Sequence, residues 1–281
     1  MNAPLEFTGE RFHPDKGGEM WYEHWHRYHL VTPWVQGRRV LDIACGEGYG
    51  SAKMAESAAS VVGVDLSRET VEHAGAVYSH RANLRFLEGG CTAIPLPKAA
   101  VDVVVSFETL EHIAEHADFL TEMKRVLVKG GLAIVSTPNK AEYGDARGHA
   151  NAFHVKELYF DEFDALMQSQ FIHVKYLGQR NGFHSIIAPT DAAPGTGKLI
   201  VDTMQANADL APRPLYVIAL ASDDPQTLAR LDMTASALTA LEDNQVDVFM
   251  QIWRHSQHLE QRVAALEAEN AALRAAQGVR G

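Results

Sequence analysis

Between Arg39 and Ser136 the chain alternates short β-branched runs with stretches of helical spacing, and few architectures accept that order. Residues 39–43, 61–65, 84–87, 101–106 and 132–136 read as strands. A helix opens over 51–57 and a second runs to about Ser79. A third carries Phe119, Leu120, Met123, Val126 and Leu127 at helical spacing. The Gly130-Gly131 pair reads as the C-cap of that third helix. The alternation predicts a parallel sheet covered by helices on both faces. Further on, 155–167 reads as a helix and 171–178 and 213–222 as strands. The last strand is reached through a loop over 189–212 with Pro, Gly and Ala content.

Composition narrows what such a sheet serves. The 281 residues are 46% hydrophobic and 22% charged, enough for one substantial α/β domain with an appendage. A formal net charge of -11 argues against a nucleic-acid partner, which needs clustered Lys and Arg to meet phosphates. Cys45 and Cys91 are the two cysteines, too few for a disulfide framework and in keeping with a reducing compartment. Residues 1–25 hold no apolar core of a secretory signal, and no run approaches transmembrane length. The expectation is a soluble, cytoplasmic protein with no transmembrane segment.

The chemistry concentrates where the first strand ends. In VLDIACGEGYG (40–50), glycines at 46, 48 and 50 let the backbone turn tightly and come close to a ligand. A dinucleotide site wants G-x-G-x-x-G, but here the third glycine arrives one position early and Ser51 stands in its slot. Asp42, at the strand end before the loop, is unhelpful to a pyrophosphate and suits an ammonium group. Asp65 closes the second strand, where a carboxylate can accept both ribose hydroxyls. Ribose without pyrophosphate, joined to a cationic amino-acid end, describes S-adenosylmethionine.

In order along the chain, VLDIACGEGYGS, GVDLS, FLEGGCTAIPLP, VDVVVSFETLEHI and RVLVKGGLAIVSTPN are similar to the successive motifs of class I S-adenosylmethionine-dependent methyltransferases. The resemblance is to the type 11/12-like members and covers Arg39 to Asn139. It implies an α/β, Rossmann-like fold: a seven-stranded, mostly parallel sheet with helices on both faces. Its last strand is antiparallel, the end of the sheet being built here by 171–178 and 213–222. The implied cofactor is S-adenosyl-L-methionine. Carried across residue by residue, Asp42, Gly46 and Gly48 line its methionine end, Asp65 and Leu66 hold the ribose and adenine face, and Ala44 is a further cofactor-binding residue. Phe107 and Glu108 sit under the methionine moiety. Where the family usually has an acidic residue for the adenine amino group, this chain has Gly90, so Cys91 backbone or the Thr92 side chain takes that contact. Tyr22 and Arg27, in an N-terminal lid or helix over 1–38, are candidates for closing over the cofactor, with Arg27 facing its carboxylate. The flanking GERFHP, EHWHRY and NAFHVKEL resemble bacterial methyltransferases found with surface-polysaccharide genes.

Methyl transfer from a sulfonium is an in-line displacement, so catalysis comes mainly from placing the nucleophile. A hydroxyl acceptor must also lose its proton to a base. His112 is the first candidate, following strand four with Glu108 and Glu111 at the sheet edge where ligands bind. His154, in the segment that covers the substrate, is the second. Against both stands the ordinary reading, that one histidine among fourteen is a surface or capping residue. His24, His26 and His29 make no metal site, since only His26 and His29 share a helical face. No metal is expected. Trp21, Tyr22 and Trp25 beside them suit packing, or stacking on a sugar ring.

From about Asp224 the chain turns Ala-, Leu-, Glu- and Gln-rich, which separates a methyltransferase domain over 1–223 from a helical segment over 224–281. Leu259, Val263, Leu266, Asn270 and Leu273 step by four and three residues, an a/d seam within a coiled coil over about 245–277. Leucine at d with one Asn at a favours a parallel dimer; the alternative is a helix packed on its own domain. The sequence therefore reads as a homodimeric enzyme that O-methylates a sugar or saccharide-containing cell-envelope acceptor. N- or C-methylation of a small biosynthetic metabolite is the alternative enzyme. A cofactor-binding scaffold acting through its coiled coil is the alternative of a different class.

Overall fold

The computed structural model describes residues 19–148, 150–182, 213–233, 236–238 and 245–278, excluding the side chains of 245–249 and 271–278. The GERFHP flank, the 189–212 loop and the Leu273 side chain lie outside that set. Two compact units are present, Met1–Ala237 and Leu238–Gly281.

The first unit is built on seven strands: β1 Arg39–Ile43, β2 Ser60–Asp65, β3 Leu84–Glu88, β4 Val101–Ser106, β5 Leu127–Pro138, β6 His173–Gln179 and β7 Tyr216–Ser222. They lie in the order β3-β2-β1-β4-β5-β7-β6. β7 runs antiparallel to both β5 and β6, and the remaining pairs are parallel. The helices are α1 Glu19–Val31, α2 Tyr49–Met54, α3 Arg68–Val77, α4 His116–Val126, α5 Phe160–Gln168 and α6 Pro225–Ala229. The alternation predicts the helix-covered parallel part of this sheet, and the resemblance implies its seven-stranded, Rossmann-like form with an antiparallel strand.

Successive side chains of a strand point to opposite faces, so each inner strand feeds two cores. Leu41 and Ile43 pack with Phe119, Leu120 and Met123 of α4 and Phe163 and Met167 of α5. Val40, on the other face, packs with Tyr28 and Val31 of α1, Met54 of α2 and Leu228 of α6. α6 contacts β7 and β5, so residues after 223 begin within the first unit.

Two local readings are corrected. Gly130-Gly131 do not cap α4, which ends at Val126 with Leu127 already extended. The pair lies inside β5, where Leu127 pairs with Val101 and Leu132 with Val103, an irregularity that absorbs the extra residues. Gly130 takes φ 72 there, and its carbonyl accepts from Ser222 Oγ at 3.3 Å and Thr227 Oγ1 at 2.8 Å. The helix expected over 155–167 begins only at Phe160. The amides of Val155 and Lys156 are instead taken by Glu111 O, at 2.7 and 3.0 Å.

In the second unit α7 runs Gln245–Gly278. Leu259, Val263 and Leu266 are 50%, 54% and 47% exposed, and Ile252, one heptad before Leu259, is 64% exposed. Among the described residues no helix is long and apolar enough to cross a membrane.

Candidate functional site

The strand order turns back between β1 and β4, and ligands of open α/β sheets bind in the crevice beyond the carboxyl ends of such strands. The loops leaving β1 and β4 carry Ala44 at φ 59 and Glu108 at φ 51. Both are left-handed, a conformation that costs an L residue about 1–2 kcal/mol, and such strain clusters at functional sites. Gly46 has φ 53, and a Cβ there would meet nothing within 4 Å, so its backbone is open to a ligand. A Cβ at Gly50 would stand 1.9 Å from the Tyr28 ring. That glycine serves the docking of α1 rather than a ligand.

The two carboxylates of the loop motif brace it. Asp42 is buried; Ser51 Oγ donates to its Oδ2 at 2.6 Å and Tyr28 OH to its Oδ1 at 3.3 Å. Burial pushes its carboxyl up to about 7 against those two hydrogen bonds. It holds the loop from beneath and does not line the cavity. Asp65 accepts from Gly46 N at 2.9 Å and from Ser67 N at 3.0 Å. Leu66 beside it is 77% exposed and leans towards Gly90, where a Cβ would come 3.8 Å from Leu66 Cδ1. Cys91 is half-buried, its thiol pushed up to about 11 by burial, and Thr92 is exposed. Cys45 is buried, its Sγ 3.7 Å from Gly46 O.

One cavity brings together Ala44, Gly46, Phe107, Glu108, His112 and His154 of the predicted residues. A second depression around Glu115, His116, Lys156 and Glu162 contains none of them. The cavity also takes Glu23 and Tyr28 from α1, Glu111, Tyr143 and Tyr216. Spacing in the sequence could not find Glu23, Tyr28, Tyr143 and Tyr216, because they arrive from α1, a π-turn over Ala141–Asp145 and β7. Tyr22 and Arg27 do not line it. Tyr22 sits edge-on to Trp21 at 5.2 Å, and Trp25 packs on Tyr49 at 5.6 Å. Arg27 is buried, with Nη1 donating to Glu108 Oε1 at 2.9 Å and the guanidinium 4.8 Å from the Tyr216 ring centre. Its Nε and Nη2 are buried without a hydrogen-bond partner among the described residues.

Around this cation the acids sort by environment. Glu108 also accepts from Ser136 Oγ at 2.5 Å. Burial pushes Glu23 up to about 7, opposed by Arg27 and by the Tyr216 hydroxyl that donates to it at 2.9 Å. Burial and then the charge of Glu108 hold Glu111 well above the usual carboxylate range. Next to Glu111, His112 Nδ1 lies 3.1 Å from Phe153 O, and His154 Nδ1 lies 2.7 Å from Glu157 Oε1. The two imidazoles meet edge-on at 5.0 Å, and Tyr143 stacks on His154 at 5.5 Å. Glu111, His112 and His154 each place a donor atom within 4.8 Å of the others. His24, His26 and His29 form no such group among the described residues; His24 Nδ1 instead meets Tyr49 OH at 2.8 Å.

Known proteins match this architecture. The family model of a methyltransferase domain matches residues 41–135. A protein of Mycolicibacterium smegmatis, named a probable S-adenosylmethionine-dependent methyltransferase, is 36% identical over 213 residues, or 74% of this chain and 81% of its own length. A ubiquinone biosynthesis O-methyltransferase of Cereibacter sphaeroides is 36% identical over 107 residues, covering 37% of this chain and 43% of that one. In fold, the methyltransferase solved in complex with the Haloferax volcanii Trm112 activator is similar, with TM-score 0.52 and 19% identity. The match covers 72% of this chain and 90% of that one.

Proposed function

This chain belongs to the S-adenosylmethionine-dependent methyltransferases, and from that premise we propose that it O-methylates a sugar or saccharide-containing acceptor of the cell envelope. Its cofactor is S-adenosyl-L-methionine. The observation that carries the proposal is a single cavity lined both by the open Gly46 backbone and by Glu111, His112 and His154. The cofactor end and a proton acceptor thus share one space.

The residues present fit the cofactor. Gly46 offers an unobstructed backbone, and Leu66 an exposed apolar face for adenine. Asp65, already fixed by Gly46 N and Ser67 N, is placed at the strand end for the ribose. Arg27, buried behind the cavity wall, acts on the site through Glu108, whose carboxylate its Nη1 holds at 2.9 Å. When bound, the cofactor supplies a sulfonium methyl open to in-line attack. The chain's part is to seat the acceptor oxygen and take its proton. His112 Nδ1 must carry hydrogen, because the Phe153 carbonyl it meets can only accept. The lone pair of the neutral ring is then on Nε2, which receives the hydroxyl proton as the C–S bond breaks and the C–O bond forms. His154, fixed by Glu157 and stacked on Tyr143, positions the acceptor from the other side.

The O-methyltransferase name of the Cereibacter sphaeroides relative supports oxygen as the acceptor atom. The aromatic and hydroxyl surface of Tyr143 and Tyr216, with the flanking sequence resemblance, supports a saccharide. The acidic lining from Glu23, Glu108 and Glu111 favours a second reading, an amine acceptor. Turnover on a panel of hydroxylated saccharides and of amines, followed by mass spectrometry, separates them. Methyl ethers are expected; turnover of amines alone overturns the oxygen assignment. The exposed Ile252, Leu259, Val263 and Leu266 of α7 support the proposed parallel dimer, and the two cysteines, too few for a disulfide framework, support a cytoplasmic setting.

A further inference from the structure

We infer that Glu111, His112 and His154 form a binding site for a divalent transition-metal cation, of the zinc class, on the acceptor side of the cavity. Two imidazoles and one carboxylate are the ligand set of catalytic zinc sites that keep a fourth position open. Ligands about 2.1 Å from such an ion stand about 3.4 Å apart in a tetrahedron. His112 Nε2 is 3.9 Å from Glu111 Oε1, and the three donors lie within 4.8 Å of one another, so rotations of the side chains by about 1 Å close the set.

The surroundings of both histidines point the same way. A metal-binding histidine almost always gives its other ring N–H to a carbonyl or a carboxylate, which fixes the tautomer and the ring. His112 does so to Phe153 O at 3.1 Å, and His154 to Glu157 Oε1 at 2.7 Å. Each ring therefore turns its Nε2 away from its anchor. Burial of Glu111 adds a carboxylate oxygen on a fixed backbone, since its own carbonyl is held by the amides of Val155 and Lys156. Those two bonds tie the segment carrying His154 to the turn carrying Glu111 and His112. A cation takes the place that Asn151 Nδ2 holds 3.1 Å from His154 Nε2.

The catalytic consequence rests on the function proposed above, whereas the binding itself does not. With the cation held, its open position takes the acceptor hydroxyl and lowers that hydroxyl's pKa. The proton then passes to solvent, and the alkoxide would form the C–O bond to the methyl as its C–S bond breaks, with S-adenosylhomocysteine as the leaving group. His112 serves as a ligand in this form and as the proton acceptor otherwise.

Titration of the metal-stripped full-length protein with Co²⁺, followed by its visible absorption, and competition with Zn²⁺ test the site. One saturable site per chain is expected, with a tetrahedral or five-coordinate spectrum displaced by Zn²⁺. H154A and H112A are expected to weaken binding by more than ~100-fold, and E157Q by about 10–100-fold, the range for outer-shell partners. H29A, away from the cluster, leaves affinity unchanged. Circular dichroism and the S-adenosylmethionine affinity of each variant establish that it is folded and that the cofactor site survives. Absence of saturable binding in protein that still binds S-adenosylmethionine overturns the metal site alone. Binding that survives H154A and H112A together overturns it equally.

Discussion

Asp42 concentrates in one residue the tension between loop geometry and solvation. Its carboxyl is buried beneath the glycine loop, where burial and the nearby Asp65 charge raise its pKa from 3.8 to about 7. The folded protein therefore holds a proton that the unfolded chain has released between those values. Its contribution to stability is fully present below about pH 4 and is lost as pH rises through about 7. Asn cannot ionise and still accepts from Ser51 Oγ. D42N is expected to remove this component, flattening the decline in urea midpoint between about pH 4.5 and 7.5 by on the order of 1–4 kcal/mol. Identical pH profiles for the two proteins would place the charge elsewhere. Gly50 and Gly46 show the same division of labour nearby. One makes room for the Tyr28 ring, the other leaves the loop open.

At the scale of elements, β5 is the joint of the sheet, pairing with β4 on one side and β7 on the other. Its irregular start depends on Gly130 at φ 72, where a Cβ would also stand 3.0 Å from Asp224 Cβ at the start of α6. G130A is expected to cost about 1–2 kcal/mol in urea unfolding, with S-adenosylmethionine affinity unchanged because the loop of β1 is untouched. No loss of stability would mean that the strand tolerates a regular register. The same pair shows where the sequence was legible. The alternation of apolar runs and helical spacing located β1 to β5; β1, β2, β4 and β5 are buried on both faces, and β3, at the sheet edge, is partly exposed. Two glycines after a helix look alike whether they cap it or kink the strand that follows. The late start of α5 was hidden too, since Val155 and Lys156 are drawn from helical geometry by the carbonyl of Glu111, a partner far away in sequence. In the site, the loop glycines, Asp65 and His112 stood in readable motifs. Glu23, Tyr143 and Tyr216 did not, because only the folded sheet brings α1, the π-turn and β7 to one cavity.

The whole molecule joins a methyl-transfer unit, Met1–Ala237, to a second unit dominated by one long helix. Proposed pairing of two such helices makes the seam a matter of association rather than of catalysis. In the full-length chain, L259D with L266D is expected to convert a dimer to a monomer in sedimentation equilibrium, with turnover per chain preserved. An unchanged mass would contradict the seam. The account as a whole depends on the glycine loop being the seat of S-adenosylmethionine, and calorimetry of the full-length chain tests that most directly. The wild type is predicted to bind one S-adenosylmethionine per chain. G46A, whose Cβ meets no protein atom within 4 Å and would project into the space proposed for the ligand, is predicted to bind at least about ten-fold more weakly, a difference of about 1.4 kcal/mol. No saturable heat from the wild type at about millimolar ligand, where even a weak site gives roughly -4 kcal/mol, or equal affinity in G46A, would contradict it.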